Sequence, residues 1–467
     1  MKKNGLLKII SIIALALLIL SWIIPASYFS GSEMVNVGLY RIGLFDIINY
    51  PVLAIQYFIQ LLLLIVAIGG FYGVLSETGK YRNTLEKIAK SLKGKEIYFL
   101  VITAFVLAAL SSVFGLGVFL FIFVPALIGI ILLMGYDKFT AMLVTFAAIM
   151  VGVIGSTFSP YVTGYIAQYT GTDYLTAIWF KVGLFVVTFV IYILFTILYA
   201  KKHKSKEKIE SDNVIPFIGE KKQVKRHSWP LYLIFGLLFV VLILSTTNWD
   251  TVFKINWFTD LHTTITTWAI KDHTIVSYVL GNISNFGKWY YAETILILMI
   301  ASVTIGFIYK LKFDEILASF GKGIVKMLKP AFIVVFAMVI VIITAYHRFY
   351  MTISDWIIGL SKDFNIFLTS IVAIFGSLFN VEVIYFAQSV VAYLIGTFTS
   401  ETAINAIVLI TQSFYGLTML VAPTSTMLIL GLEFLNIPYI EWIKKSWKLI
   451  LSLLVAILVA IVLIVLI

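Results

Sequence analysis

Gly155-Ser156-Thr157-Phe158-Ser159-Pro160 and Ala422-Pro423-Thr424-Ser425-Thr426 are two short polar breaks inside apolar sequence, one in each half of the chain. Within hydrocarbon an unpaired backbone amide or carbonyl costs several kcal/mol, so such breaks persist only where protein or a water-lined cavity surrounds the freed groups. Matching breaks in two halves point to a binding site between them.

The sequence around these breaks is that of a membrane protein. Of 467 residues, 61% are hydrophobic and 12% are charged, and the mean hydropathy is +1.03. A soluble domain carries about twice that charged fraction. Apolar runs of about 20 residues, enough to cross a ~30 Å hydrocarbon layer, recur from end to end, and they are too long for barrel strands. Cysteine is absent, which excludes disulfides and thiolate chemistry. The net charge of +11 is gathered in short segments between spans, which argues for topology rather than nucleic-acid binding.

Cytoplasmic loops carry the excess of Lys and Arg. A first span over about 8–28, read as retained rather than cleaved as a signal, leaves the cytoplasm, and a second over about 51–75 returns to a basic interfacial stretch from Lys80 to Lys95. An apolar region (97–136) interrupted at Ser111-Ser112-Val113-Phe114-Gly115-Leu116-Gly117 reads as a re-entrant hairpin or two full spans. The first broken span (139–168) and another (177–200) bring the chain back to a basic loop that includes Lys201, Lys202, Lys204, Lys206, Lys208, Lys221, Lys222, Lys225 and Arg226. That loop reads as a solvated connection. A single extra span (229–246) leads to an outer segment rich in Trp and Tyr, and the first pattern then resumes. A span (292–309), a basic stretch (310–329), a further span (331–346), an amphipathic stretch (347–363), an apolar region (364–400) broken at Gly376-Ser377-Leu378-Phe379-Asn380-Val381-Glu382, and a second broken span (403–436) follow.

The extra span reverses the second copy. The expected fold is therefore an all-α polytopic membrane protein of two inverted-topology repeats, each with a re-entrant helical hairpin and a broken transmembrane helix. The expected units are 1–200 (first repeat), 201–228 (basic cytoplasmic loop), 229–290 (extra span and outer segment) and 291–467 (second repeat). Spacing agrees: Ser111 to Gly155 is 44 residues (155 − 111) and Gly376 to Ala422 is 46 (422 − 376). The amino terminus is expected on the cytoplasmic side of the cytoplasmic (inner) membrane.

After each break a half-helix presents the positive end of its dipole, which attracts anions. A substrate carboxylate is expected at the amides and hydroxyls of Ser156, Thr157 and Ser159 beside Pro160, and of Thr424, Ser425 and Thr426 beside Pro423. Unwound carbonyls offer oxygen ligands to a sodium ion. The plainer alternative is that the hydroxyls bond back to helical carbonyls and proline only kinks the span. Ser111, Ser112, Gly115 and Gly117 in one half, and Ser377 and Asn380 in the other, form either hairpin tips at the site or tight connections between spans. Glu382 stands between apolar runs, where a charge costs about 2.5–3.5 kcal/mol, so it is a candidate coupling group unless it reaches water or a basic partner. Asp250, Asp260, His262, Asp272 and His273 in the outer segment have no recognised metal-ligand spacing. No Walker-type loop, nucleophile elbow or His-Glu-x-x-His sequence is present. No cofactor and no metal centre are expected beyond the coupling ion.

Ser21-Trp22-Ile23-Ile24-Pro25-Ala26, Ile68-Gly69-Gly70-Phe71-Tyr72-Gly73, the first break, and Ala422-Pro423-Thr424-Ser425-Thr426-Met427 followed by Ile437-Pro438-Tyr439-Ile440-Glu441-Trp442 occur in this order along the chain. Together they resemble the C4-dicarboxylate anaerobic carrier (YfcC-like) family of the ion-transporter superfamily. The resemblance implies an elevator-type transporter, commonly a homodimer, for dicarboxylates, other organic acids or amino acids, coupled to sodium or protons or working by exchange. It also implies Ser156, Thr157, Pro160, Pro423, Thr424 and Ser425 as site positions. Departures from the family pattern are Ser159 in place of Asn, Tyr415 and Met419 in place of acidic and amide residues, a first tip without acidic residues, and Glu382 where small residues are typical. The rival expectations are a membrane-embedded enzyme acting through the outer Asp and His residues, and a passive channel.

Overall fold

The computed structural model describes residues 5–30, 33–204, 215, 217–220, 226–270, 273–281, 283–361 and 363–466. Of the residues singled out above, Lys206, Lys208, Lys221, Lys222, Lys225 and Asp272 lie outside this set. Among the described residues nine helices are long and apolar enough to cross a membrane. The chain is a multi-pass, mostly helical membrane protein.

Three spans depart from those expected. The first helix, Gly5–Ile23, stops before Pro25, and the chain turns into an antiparallel ribbon of Ala26–Ser30 with Glu33–Gly38. A second ribbon, Ala269–Ile270 with His273–Thr274, lies in the outer segment, so the fold is not purely helical. The second helix runs over Leu44–Glu77, longer than the 51–75 expected; it contains Pro51 and leaves helical geometry at Phe58. In the second half the basic stretch and the span after it are one helix, Phe313–His347, which passes through Pro330. At 1.5 Å per residue its 35 residues extend about 52 Å, well beyond the hydrocarbon layer.

These two long helices pack along each other as the spine of the molecule. A Cβ on Gly323 would lie 2.1 Å from the carbonyl oxygen of Gly69, so the backbones touch where no side chain fits. Without a hydrophobic drive between helices in lipid, such small-residue contacts provide the van der Waals packing that holds spans together.

Beside the spine the same order of elements occurs twice. In the first half it is the amphipathic helix Lys80–Ser91, the helix pair Glu96–Phe114 and Val124–Leu133, the broken helix Lys138–Ile154 and Val162–Thr170, and the span Ile178–Lys202. In the second it is Phe349–Ile358, the pair Ile366–Phe379 and Val383–Thr397, the broken helix Glu401–Met419 and Thr426–Leu435, and the span Tyr439–Leu466. The arms of 10 and 14 residues, Val124–Leu133 and Ile366–Phe379, reach about 15 and 21 Å, short of a full crossing.

Three of the sequence motifs that carry the family resemblance supply hydrogen-bond partners to backbone at an interruption or a connection. Trp442 Nε1 donates to the Leu420 carbonyl at 2.9 Å and the Tyr439 hydroxyl to that of Val421 at 2.6 Å, so the Pro-Tyr-x-x-Trp segment pairs the carbonyls released at the second break. The Tyr72 hydroxyl donates to the Ile122 carbonyl at 2.7 Å and accepts from the Ala126 amide at 3.3 Å, where a 3-10 turn, Gly117–Ile122, interrupts the first pair. Ser21 Oγ accepts from the Ile42 amide and Trp22 Nε1 donates to the Ile42 carbonyl, which pins the chain between the ribbon and the second helix. Buried polar backbone needs such partners, and in lipid the protein must supply them.

Candidate functional site

The first broken helix starts at Asp137, whose carboxylate accepts from the Thr140 amide at 2.8 Å, and it unwinds after Ile154. The second starts at Ser400, whose hydroxyl caps the Ala403 amide, and it unwinds after Met419. The second resumes on a serine N-cap, with Ser425 Oγ accepting from the Leu428 amide at 3.5 Å; in the first, where Tyr161 is the N-cap, Ser159 Oγ in the break accepts from the Val162 amide at 3.1 Å. N-cap hydroxyls satisfy one of the free amides of a first helical turn, and their loss costs about 1 kcal/mol. Pro160 and Pro423 stand beside these serines, within the breaks.

The tips of the two helix pairs are tied to the breaks in a similar way. Ser112 Oγ donates to the Gly155 carbonyl at 2.7 Å, and the Ser112 carbonyl accepts from the Thr157 amide at 2.9 Å and from the Thr157 hydroxyl at 3.3 Å. In the second half Thr424 Oγ1 donates to the Leu378 carbonyl at 3.2 Å, and Thr418 Oγ1 to Ser377 Oγ at 2.9 Å. Thr157 and Thr424 are buried and lie outside regular helix.

The two broken helices cross at these points. A Cβ on Gly416 would lie 2.4 Å from the amide nitrogen of Ile154, so the second helix meets the first backbone to backbone one residue before Gly155. This contact brings both breaks and both tips to one cavity of about 140 Å³. Its lining takes Ser111, Gly115 and Gly117 from the first tip, Ser159 from the first break, Ser377 and Glu382 from the second tip, and Ser425 and Thr426 from the second break. A cavity of comparable size, about 150 Å³, accepts a molecule as large as benzene.

Not every expected site residue reaches this cavity. Ser112, Thr157 and Thr424 join tips to breaks instead, and Ser156 faces Thr163, whose hydroxyl donates to the Ser156 carbonyl at 3.3 Å. Pro160 and Pro423 shape the breaks without lining the cavity. Asn380 caps its own helix through Nδ2 to the Gly376 carbonyl and lines a different cavity beside Arg348. Sequence reasoning missed the aromatic wall: Tyr161, Tyr165, Tyr290, Tyr291 and Tyr415 line the cavity together with Phe119. Tyr161 and Tyr290 rings are 5.6 Å apart, and Phe119 lies 5.8 Å from Tyr290 and 5.3 Å from Tyr291. The i, i+4 spacing of Tyr161 and Tyr165 after the first proline was the available signal. Tyr290 and Tyr291 come from the end of the outer segment, which no site motif marks.

The charge in this cavity is one-sided. Among the described residues Glu382 is its only carboxylate, and no Lys, Arg or His lines it. Among the described residues the Glu382 carboxylate has no hydrogen-bond or ion-pair partner. The hydroxyls of Ser111 and Thr426, both lining the cavity, are buried without a partner. Unpaired buried polar groups of this kind are rare in folded proteins and call for an explanation.

The outer segment closes over the first tip and break, with Phe253 against Phe114 at 6.3 Å and against Phe158 at 5.7 Å. Asp250 is held by Lys288 at 3.0 Å, and Asp260 is exposed. Among the described residues no group of three or more His, Cys, Asp or Glu side chains could hold a metal. Partial burial opposes the ionised form of Asp250, but the Lys288 ammonium and the Thr251 hydroxyl and amide outweigh it and hold the carboxyl below its ordinary range. A carboxyl lowered on folding contributes stability above its unfolded pKa, about 3.9, and loses it as pH falls through the folded value. Asp250→Asn should therefore lower the melting temperature at pH 7 by an amount equivalent to at most about 1 kcal/mol, since Lys288 is half exposed. Melting curves of the two proteins should converge toward pH 3 or below; a deficit that persists there would show that the ion pair is not its source.

A curated Escherichia coli K12 protein named putative basic amino acid antiporter YfcC is 25% identical over 146 residues, which is 31% of this chain and 29% of that protein. An uncharacterized Haemophilus influenzae protein is 24% identical over 147 residues, 32% of this chain and 29% of its own length. The matched region thus spans less than a third of the curated relatives. Among solved structures, the Alcanivorax borkumensis YdaH transporter is 14% identical with a TM-score of 0.44, covering 98% of this chain and 97% of that one. Neisseria gonorrhoeae MtrF, described as illuminating a class of antimetabolite efflux pumps, is 12% identical with a TM-score of 0.43, covering 98% and 94%. The sequence profile of the C4-dicarboxylate anaerobic carriers, DcuC, matches residues 4–466, and the chain belongs to that family.

Proposed function

We propose that this protein is a secondary active transporter of a small carboxylate-bearing metabolite, an amino acid rather than a dicarboxylate, working by alternating access. The observation that carries the reading is the cavity joining both tips and both breaks, with Glu382 as its only charged group among the described residues. Two unit charges 4 Å apart interact by about 4 kcal/mol at an effective dielectric constant of 20. A dianion would meet Glu382 with no cation to offset it. An amino acid would place its ammonium at Glu382 and the tyrosine faces, which attract cations, and its carboxylate at the half-helix N-termini with the hydroxyls of Ser111 and Thr426. The name of the E. coli relative is compatible with this choice.

In this reading the two halves are inverted repeats, their short helix pairs are re-entrant hairpins, and the hairpins and broken helices move as a unit against the spine. The protein works in the cytoplasmic membrane, with the basic face inside, and assembles as a homodimer. Glu382 carries the coupling charge, either as the substrate's counter-ion during exchange or as a proton carrier. Sodium, if it is the coupling ion, takes its oxygen ligands at the breaks.

Uptake of radiolabelled arginine, alanine and succinate into vesicles, with and without sodium, tests the substrate class. Concentrative uptake of an amino acid is expected; uptake of succinate alone would overturn it. Thr157→Val and Thr424→Val remove the ties of the tips to the breaks. Each should cut uptake by at least about tenfold, the effect of one lost buried hydrogen bond of about 1.4 kcal/mol, with normal membrane insertion. Unchanged uptake from both would remove the breaks from the transport site.

A further inference from the structure

The loop between the two halves is read from sequence as solvated, yet Ile215, Phe217 and Ile218 are buried, with Phe217 only 6% exposed. The Phe217 ring stacks on Phe434 at 6.0 Å, tilts against Tyr72 at 5.9 Å, and lies under the Lys326 ammonium at 5.2 Å. Two residues on, the Gly219 carbonyl accepts from Arg82 Nη1 at 3.2 Å. Phe434 lies in the last turn of the half-helix Thr426–Leu435 that follows the second break. Tyr72 and Lys326 belong to the two spine helices, and Arg82 to the amphipathic helix that follows the first of them. This short piece of the loop therefore joins a broken helix to the spine.

A second tie lies alongside. Lys329 of the spine bonds Glu433 of the half-helix at 2.6 Å, and both line the cavity of about 540 Å³ that Phe217 borders. Lys329 is 56% exposed, so solvent and salt weaken that pair. The buried ring is the stronger contact, because burial of an aromatic side chain is not weakened by charge screening and scales with the area removed from water. Sliding the half-helix along Phe313–His347 must separate Phe434 from Phe217 and Glu433 from Lys329.

We infer that residues 215 and 217–219 form a latch that holds the half-helix Thr426–Leu435 against the spine in this conformation and must release before it can move. The role of the latch in transport rests on the alternating-access reading; its hold on the half-helix does not. Hydrogen exchange on the full chain in lipid nanodiscs tests that hold without any substrate. Phe217→Ala should speed exchange across residues 426–435 roughly tenfold, the population change that loss of one buried ring can give, and leave residues 162–170 at the wild-type rate. Equal rates in 426–435, or equal acceleration in both half-helices, would overturn the latch.

The chain has no cysteine, so Phe217→Cys with Phe434→Cys introduces one defined pair. Bridging the pair by a disulfide or a short cleavable dithiol spacer should stop arginine uptake, and reductant should restore it. Wild-type uptake by the bridged protein would show that the latch need not open. Failure of the wild-type chain itself to take up arginine would overturn the substrate reading and leave the exchange experiment as the test of the latch.

Discussion

Glu382→Gln is expected to abolish concentrative amino-acid uptake while raising the melting temperature of the purified protein. The carboxylate lines the central cavity and, among the described residues, has no partner and shares the cavity with hydroxyls, rings and apolar side chains. Held there without substrate, the charge costs stability, by about 2.5–3.5 kcal/mol on insertion scales for a mid-membrane acid. The amide keeps the volume and removes that cost. It also removes the counter-ion for the substrate ammonium, and a hydrogen bond to a charged group is worth about 1.5–3 kcal/mol, so affinity should fall roughly 10- to 100-fold. Opposite shifts in stability and function are the mark of a group retained for function at the expense of stability. Arginine binding is read by thermal shift and by vesicle uptake, with succinate as the contrasting ligand. Unchanged arginine affinity would remove Glu382 from the site, and tighter succinate binding with no loss for arginine would favour a dicarboxylate.

The parts of this site that were legible in sequence are those in which a local rule is broken. Proline and hydroxyl residues inside apolar runs mark the breaks; Ser425 occupies the N-cap of the resumed helix, and Ser159 accepts from the first-turn amide of Val162. Glu382 was visible because a lone acid between apolar runs has no local reason to be there. What was hidden depends on residues that obey their local context. Tyr290 and Tyr291 end a segment rich in Trp and Tyr that reads as an interfacial belt, and only the tertiary fold turns them into the cavity wall. Phe217 is one ring in a lysine-rich loop, where charge dominates any composition window. Lys322, Lys326 and Lys329 set a basic stretch apart from the span that follows, but both belong to one helix of 35 residues, Phe313–His347. Asn380 was placed at the site because tips favour asparagine; its own helix takes the side chain as a cap.

Gly416→Ala should reduce uptake as severely as loss of the carboxylate, without touching a polar group. Gly416 stands where the second broken helix crosses the first, and an added Cβ would sit 2.4 Å from the Ile154 amide nitrogen, 2.6 Å from its Cα and 2.8 Å from the Val153 carbonyl carbon. All three are backbone atoms, so no rotamer change can make room, and the two helices must part by about 1 Å to reach ordinary contact. Overpacking of this kind costs about 1–3 kcal/mol. The functional cost is larger, because Gly155 and the tie to Ser112 lie next to the crossing, and displacement of a preorganised site by about 1 Å is felt on the order of 100-fold. Gly236, in the span Trp229–Thr246, has no atom within 4 Å of the equivalent Cβ position and provides the matched control. Gly236→Ala should transport at the wild-type rate. Melting temperature and gel-filtration profile distinguish a displaced site from a misfolded chain: Gly416→Ala is expected to remain a folded, slightly destabilised protein that binds arginine at least tenfold more weakly. Wild-type uptake from Gly416→Ala would mean that the crossing does not position the two breaks, and that the cavity between them is not where substrate is held.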